Sequence, residues 1–141
     1  MLRSIFAFAL LFVVSAWGTN QPVIHQVPIK RTSWASGQQM YHEYCAACHG
    51  VKADGNGPAA PACKVKPSNL TLMTRNNGGK FPYNYFYSVV QFGTPMPTPA
   101  HGTADMPIWL PLFISLDNGR QGIELQRMHN IASYVESLQR K

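Results

Sequence analysis

The sequence predicts a small all-α domain with long loops. Residues 37–47, 83–92 and 121–141 contain good helix formers or a helical apolar period, and no stretch alternates apolar and polar residues as a strand does. Between these segments glycine and proline are dense, with 11 of each in the 141 residues. A chain of this length forms about one domain.

The first eighteen residues are typical of a secretory signal peptide. Arg3 precedes an apolar run from Ile5 to Val14, and small residues end the segment. The run is shorter than the roughly 20 residues that a spanning helix needs. We therefore expect cleavage near Ala16 or Gly18 rather than retention as an anchor, and an exported, periplasmic protein with no membrane span in the mature chain.

Residues 19–36 follow as an extended arm, because prolines and isolated apolar residues there show no helical period. The main domain is expected over residues 37–141. Ser36 and Gln39 form a capping-box pattern ahead of the first predicted helix, from Gly37 to Ala47. The Gly- and Pro-rich stretch after this helix predicts a long loop, which needs something to pack against.

The second half of the chain supplies two further helices. Residues 83–92 predict a short helix that ends at Gly93, where a left-handed backbone is sterically cheap. Four prolines in residues 94–107 exclude helix and sheet alike. The last helix, within residues 121–141, has an apolar face with spacings of three and four, formed by Leu125, Met128, Ile131, Ala132, Val135 and Leu138.

Cys45, Cys48 and His49 form a C-x-x-C-H motif at the end of the first predicted helix. Positions i, i+3 and i+4 share one helix face, so two sulfurs and an imidazole project to the same side. Covalent haem attachment needs this arrangement, because each thiol adds to one vinyl group while the histidine reaches the iron. The motif is the attachment signature of c-type haem.

Three other interpretations of the motif fit less well. A zinc site would need a second closely spaced ligand pair, which the sequence lacks. A thioredoxin-like dithiol belongs in a βαβ unit, and none is predicted. Two purely structural cysteines would leave His49 unexplained. We interpret the remaining cysteine, Cys63, as a buried thiol, with an intermolecular disulfide or a redox-active thiol as alternatives.

The chain resembles the class I cytochromes c over about residues 37–138. The segment "GQQMYHEYCAACHG" is similar to the amino-terminal helix and haem motif of that family, and "NIASYVESL" to its carboxy-terminal helix. The resemblance implies a small cytochrome c-like helical domain with long loops wrapped around one covalent haem c. It also implies that Gly37 and Tyr41 contact Ile131 and Tyr134. The words "GGKFP", "AHG" and "MPIW" resemble a group of exported bacterial cytochromes c.

The same resemblance implies the haem-binding residues on the proximal side. Cys45 and Cys48 would hold the haem covalently, and His49 would be the proximal iron ligand. The carbonyl of Pro67 would accept a hydrogen bond from the free ring nitrogen of His49 and so orient the ring, beside Leu70. An ordinary turn proline next to a core leucine is the alternative for these last two residues.

Two methionines compete for the distal side of the iron. Met106 and Met96 both precede a proline in irregular backbone, and local physics does not separate them. The segment "MPIW", which includes Trp109, matches the ligand-bearing segment of the family, so the resemblance favours Met106. His101 is a third candidate. The other methionines of the mature chain are interpreted as packing residues: Met40, Met73 and Met128.

Several apolar side chains are candidates for the haem wall, with ordinary core packing as the alternative. They are Phe81, Tyr85, Phe86, Val89, Val90, Trp109 and Leu112. The isolated histidines are expected to be exposed, and they are His25, His42 and His129.

The sequence thus predicts a monohaem c-type cytochrome, not an enzyme, that carries single electrons in an extracytoplasmic chain. A free carrier and the cytochrome subunit of a dehydrogenase or oxidase both stay open, as does the oligomeric state. The alternatives are a haem enzyme or gas sensor with an open iron position, and a zinc-binding module.

Charge points to the kind of partner. The formal net charge is +6. Between residues 50 and 100 the only acidic residue is Asp54, whereas five residues are basic: Lys52, Lys64, Lys66, Arg75 and Lys80. This favours redox protein partners with an acidic docking face, and not nucleic acid. A merely solubilising surface is the alternative.

Overall fold

The computed structural model describes residues 27–93 and 106–140, and this part of the chain is helical with no strand. The helices are α1 (Gly37–Tyr44), α2 (Ala46–His49), α3 (Met73–Asn76), α4 (Tyr83–Phe92), α5 (Trp109–Leu116) and α6 (Ile123–Ser137). Two 3₁₀ turns are present at Ala60–Ala62 and Leu70–Leu72. The all-α prediction is confirmed. The predicted signal peptide and residues 19–26 of the arm lie outside the described residues.

No helix among residues 27–93 and 106–140 has the length and apolarity to cross a membrane.

The first helix begins where the capping pattern places it. The Ser36 hydroxyl accepts a hydrogen bond from the Gln39 N–H at 3.1 Å, which satisfies a donor that the helix itself leaves unpaired. The Gln39 side chain accepts from the Ser33 N–H at 3.2 Å rather than from Ser36. The predicted continuous helix to Ala47 is interrupted at Cys45, and α2 resumes directly after it.

The first and last helices cross at a glycine. A Cβ atom on Gly37 would lie 1.9 Å from the Asn130 carbonyl oxygen and 3.2 Å from the Ile131 nitrogen, so only glycine fits there. Beside the crossing the Tyr41 and Tyr134 rings pack with centroids 5.4 Å apart. The contact that the family resemblance implies between these helices is present. The fully buried residues around it are Met40, Tyr41, Met128, Ile131 and Val135.

The buried face of α6 differs from the predicted one at its amino end. Leu125, predicted to be apolar core, is 54% exposed, whereas Arg127 is only 2% exposed. Arg127 lies one helical turn before Ile131 and therefore on the same face as that core residue. The spacing prediction counted only apolar residues and so missed a charged residue in the buried row.

Arg127 is compensated by a dense set of acceptors. Its Nε and Nη2 donate to Asp117 Oδ2 and Oδ1 at 2.6 and 3.0 Å. Its Nη1 donates to Thr32 Oγ1 and to the Thr32 carbonyl, both at 3.2 Å, and also contacts Met40 Sδ at 3.4 Å. A buried charge is tolerated only with such pairing. The guanidinium thereby joins the arm, α1, the end of α5 and α6.

The sequence pattern does not predict the fifth helix, α5. Pro111 occupies its third position, where no intrahelical N–H bond is lost because the first turn has none. Its first residue, Trp109, packs on Phe113 and on Tyr44 of α1, with ring centroids 5.6 and 5.4 Å apart. These aromatic contacts hold α5 against the end of α1.

The buried ion pair predicts a specific response to acid. The hydrogen bond and charge of Arg127 lower the pKa of Asp117 from its ordinary value of 3.8. A carboxyl with a depressed pKa stabilises the fold above the unfolded pKa, and this contribution is lost as the pH falls through the folded value. We expect Asp117→Asn to lower the free energy of unfolding by about 3–5 kcal/mol near neutral pH, because it leaves a buried charge unpaired.

The difference in the free energy of unfolding between wild type and Asp117→Asn should become smaller as the pH falls below 3.8. Denaturant titrations from pH 3 to pH 7 would measure this difference, with Glu124→Gln at a half-buried carboxyl outside the ion pair as the control. A gap that is the same at every pH would contradict the assignment.

Candidate functional site

The C-x-x-C-H motif lies on the helical path that runs from α1 into α2. Cys45 ends the first helix, and its carbonyl accepts from the N–H groups of Cys48 and His49 at 3.2 and 2.9 Å. Cys45 has right-handed helical backbone angles, so the i, i+3, i+4 relation of the three side chains is kept across the interruption. All three side chains are half-buried.

A backbone carbonyl determines the tautomer of His49. The ring Nδ1 lies 3.0 Å from the carbonyl oxygen of Ser68. A carbonyl can only accept, so Nδ1 carries the proton and Nε2 presents its lone pair. Burial lowers the pKa of His49, with the bond to Ser68 opposing this shift, so the ring is held in its neutral form. A neutral imidazole with a fixed tautomer is the state that ligates a metal.

The acceptor on His49 is one residue further along than predicted. The family resemblance suggested the carbonyl of Pro67, whereas the structure places that of Ser68 on the ring. The Pro67 carbonyl instead lies against the loop at Gly55. A Cβ atom on Gly55 would come within 2.4 Å of this carbonyl oxygen. Leu70 is half-buried, packs against the core and donates its N–H to the loop at Ala53 O, 2.8 Å away.

The loop after His49 folds back onto the end of α2. The N–H groups of Gly55, Gly57 and Ala59 donate to the carbonyls of His49, Cys48 and Ala47 at 2.8, 3.0 and 2.8 Å. These carbonyls have no partner within the helix, so the loop satisfies them. A Cβ on Gly57 would lie 2.3 Å from Ala47 O. The close approach therefore depends on glycine.

The Cys45 thiol is held in a protonated state. Burial raises the pKa of Cys45 to about 12, with the neighbouring Cys48 as a smaller cause. All three cysteines lie within the described ranges, and no disulfide joins any of them. A redox dithiol uses the thiolate, which burial disfavours at Cys45. Across the described residues, no three His, Cys, Asp or Glu side chains are grouped to hold a metal ion.

Cys63 lies in the loop and is less buried than predicted. Its side chain is half-buried, and its Sγ donates to the Ala59 carbonyl at 3.5 Å. Cys63 directly follows the 3₁₀ turn at Ala60–Ala62, in the loop that folds back onto α2.

Among the distal candidates, only Met106 falls within the described residues. It is half-buried, packs against the core and stands three residues before Trp109, the first residue of α5. Met96 and His101 lie outside the described residues, so the choice between these ligands stays a prediction. Met73 is half-buried at the start of α3.

Two other methionines have the packing role that was predicted for them. Met40 and Met128 are 0% and 1% exposed in the contact between α1 and α6.

The predicted haem-wall residues fall into three groups. Phe86, Val90 and Trp109 are buried in the core, Phe81, Val89 and Leu112 are half-buried, and Tyr85 is 53% exposed. Tyr85 is therefore not part of the buried core, and its place in a haem wall stays a prediction. His42 and His129 are exposed as predicted, and His25 lies outside the described residues.

Sequence reasoning missed two contributors to the site. Ser68 acts through a backbone atom, which leaves no side-chain signal. Tyr41 donates its hydroxyl to the Gly50 carbonyl at 2.7 Å and so ties the residue after His49 to the helix crossing. The glycines of "HGVKADGNG" were the available signal for the close packing of this loop on α2.

Comparison with known proteins identifies no relative: no family model, no curated protein and no solved structure matches this chain. The site is therefore interpreted from its own residues and geometry.

Proposed function

We propose that the chain is a monohaem c-type cytochrome that carries single electrons and is not an enzyme. The observation that carries this proposal is the state of His49. Its Nδ1–H is held by Ser68 at 3.0 Å, and its Nε2 is left to bind iron, directly after Cys48 and one helical turn after Cys45. When bound, the haem supplies a one-electron iron couple.

The residues around the motif support covalent attachment. Thiols are the groups that add to vinyl carbons, burial keeps the Cys45 thiol protonated, and a helical turn would space Cys45 and Cys48 for attachment to one haem. The loop that satisfies the carbonyls of Cys48 and His49 continues to Ser68, whose carbonyl holds the imidazole that would ligate the iron. These features fit haem c better than a zinc ion, which would need four converging ligands.

The architecture supports a cytochrome c-like fold for the domain. The helix that precedes the motif crosses the last helix at Gly37, where their backbones touch. Long irregular segments, rather than further helices, connect α2 to α3 and cover the proximal side of His49. We propose that these loops wrap one covalent haem, and that Phe81, Phe86 and Trp109 contribute to its wall.

Met106 is the proposed distal ligand. Pro107 restricts its backbone to extended conformations, and α5 begins shortly after it. Thioether sulfur opposite imidazole raises the reduction potential of a haem. A six-coordinate iron suits an electron carrier, whereas an enzyme or gas sensor keeps one position open.

The proposed setting is the periplasm, with redox proteins as partners. The apolar segment at residues 5–14 supports export. Lys52, Lys64, Lys66, Arg75 and Lys80 are all exposed, which supports docking to an acidic face. The carrier works either alone or as the cytochrome subunit of a dehydrogenase or oxidase.

Covalent attachment is directly testable. After acid and organic extraction, haem should stay with the wild-type polypeptide and should be released from the Cys45→Ala, Cys48→Ala double variant. His49→Ala should yield little holoprotein, because the iron would lose its proximal nitrogen. The exposed His42→Ala is the matched control and should yield as much as wild type. Clean extraction of haem from wild type would show that the attachment proposal is wrong.

Distal ligation is tested by two methionine variants. Met106→Ala should abolish the methionine-to-iron absorption band, open the iron to carbon monoxide and lower the reduction potential by a fraction of the roughly 0.8 V that axial ligands span. Met96→Ala should keep the band. The reverse result would assign the ligand to Met96, and a normal band in both variants would point to Met73 or another sulfur. A wild type without the band would make His101 the next candidate.

The basic surface is tested with small charged reagents. Lys64→Gln combined with Lys66→Gln should slow oxidation by an anionic metal complex about twofold or more at low ionic strength, because a local positive field concentrates anions. Oxidation by a cationic complex should instead speed up, and added salt should shrink both effects. Lys30→Gln with Arg120→Gln removes the same charge elsewhere and is the control. Equal effects of the two pairs would leave these lysines as solubilising surface.

A further inference from the structure

We propose that Tyr44 is a positioning residue that fixes α5, and with it the segment of Met106, relative to the haem-attachment turn. This inference rests on the proposed function, since it concerns the strength of the bond between the distal methionine and iron. It goes beyond that function by assigning a role to the hydroxyl of a residue outside the haem motif.

The hydroxyl of Tyr44 is the first part of the evidence. It donates to the Lys30 carbonyl at 2.8 Å and lies 2.7 Å from Thr32 Oγ1. Because its own hydrogen serves Lys30, the Thr32 hydroxyl donates to it. Tyr44, which directly precedes Cys45, is therefore hydrogen-bonded to the arm.

The ring of Tyr44 is the second part. It packs against Trp109 and Phe113, with ring centroids 5.4 and 5.8 Å apart. Trp109 begins α5, and Met106 lies three residues before it. The ring thus contacts the first and the fifth residue of the helix that follows the proposed ligand.

The carboxy-terminal end of α5 is also connected to Thr32. Asp117 follows the last residue of the helix and pairs with Arg127 through two hydrogen bonds of 2.6 and 3.0 Å. Arg127 in turn donates to the carbonyl and the hydroxyl of Thr32. The contacts form a closed circuit from Asp117 through Arg127, Thr32 and Tyr44 back to Trp109, so α5 cannot shift along its axis without breaking buried polar bonds.

A purely structural role would be satisfied by the ring alone. Phenylalanine at this position keeps the contacts with Trp109 and Phe113 and removes only the hydroxyl. Tyr44→Phe therefore separates packing of α5 from its connection to the arm. Thr32→Val is the matching change on the other side, because it is nearly isosteric and removes the oxygen that joins Tyr44 to Arg127.

The experiment uses the haem-loaded full chain and measures the rate at which imidazole displaces the distal methionine. Tyr44→Phe should keep the methionine-to-iron band but bind imidazole about two- to tenfold faster, because it removes the two hydrogen bonds of the hydroxyl, to Lys30 and to Thr32. Thr32→Val should give a similar increase, and the effect of the double variant should be smaller than the two single effects combined, because both variants remove the hydrogen bond between Tyr44 and Thr32. Hydrogen exchange should show faster opening of α5 in both variants.

Tyr134→Phe is the matched control, because its hydroxyl contacts His42 outside this circuit, at 3.2 Å. It should leave the imidazole rate unchanged. If wild type shows the band and Tyr44→Phe binds imidazole no faster than Tyr134→Phe, the positioning role is wrong while the proposed function stands. If wild type shows no methionine-to-iron band, the proposed ligation fails first and this inference fails with it.

Discussion

The backbone contact between α1 and α6 is the constraint on which the rest of the structure depends. No side-chain atom fits at Gly37, so the two helices approach until the backbone of one lies against Asn130 of the other. Tyr41 is carried onto α6 by this crossing, and its hydroxyl reaches the Gly50 carbonyl. Gly50 directly follows His49, so the same contact that closes the domain also fixes the end of the helix that bears the motif.

Backbone atoms, rather than side chains, orient the candidate ligand. His49 is held by the carbonyl of Ser68, and the carbonyls of α2 are satisfied by N–H groups of the loop. Such an arrangement depends on the path of the chain and on the glycines that permit close approach. It tolerates many side chains at position 68. The chemistry is therefore concentrated in three residues, while the geometry is spread over a loop.

The parts of the molecule that follow a local pattern were predictable from sequence. The cap at Ser36, the helix Tyr83–Phe92 and the C-x-x-C-H face all follow from short-range rules. Burial of Arg127 was not predictable, because its acceptors come from Asp117 and from Thr32, which is 95 residues away in the chain. The same limit explains why Leu125 was placed in the core.

The site shows the same division between local and distant information. The motif identified its three side chains, and the resemblance pointed to the turn at Pro67, one residue from the observed acceptor Ser68.

The hydrogen bonds between buried Arg127 and Thr32 bear on where the folding unit begins. A polypeptide starting at Gly37 would contain every predicted helix and the whole motif, yet it would remove the Thr32 oxygens that accept from Arg127. We therefore expect a polypeptide that folds stably to begin at or before Thr32, upstream of the first helix.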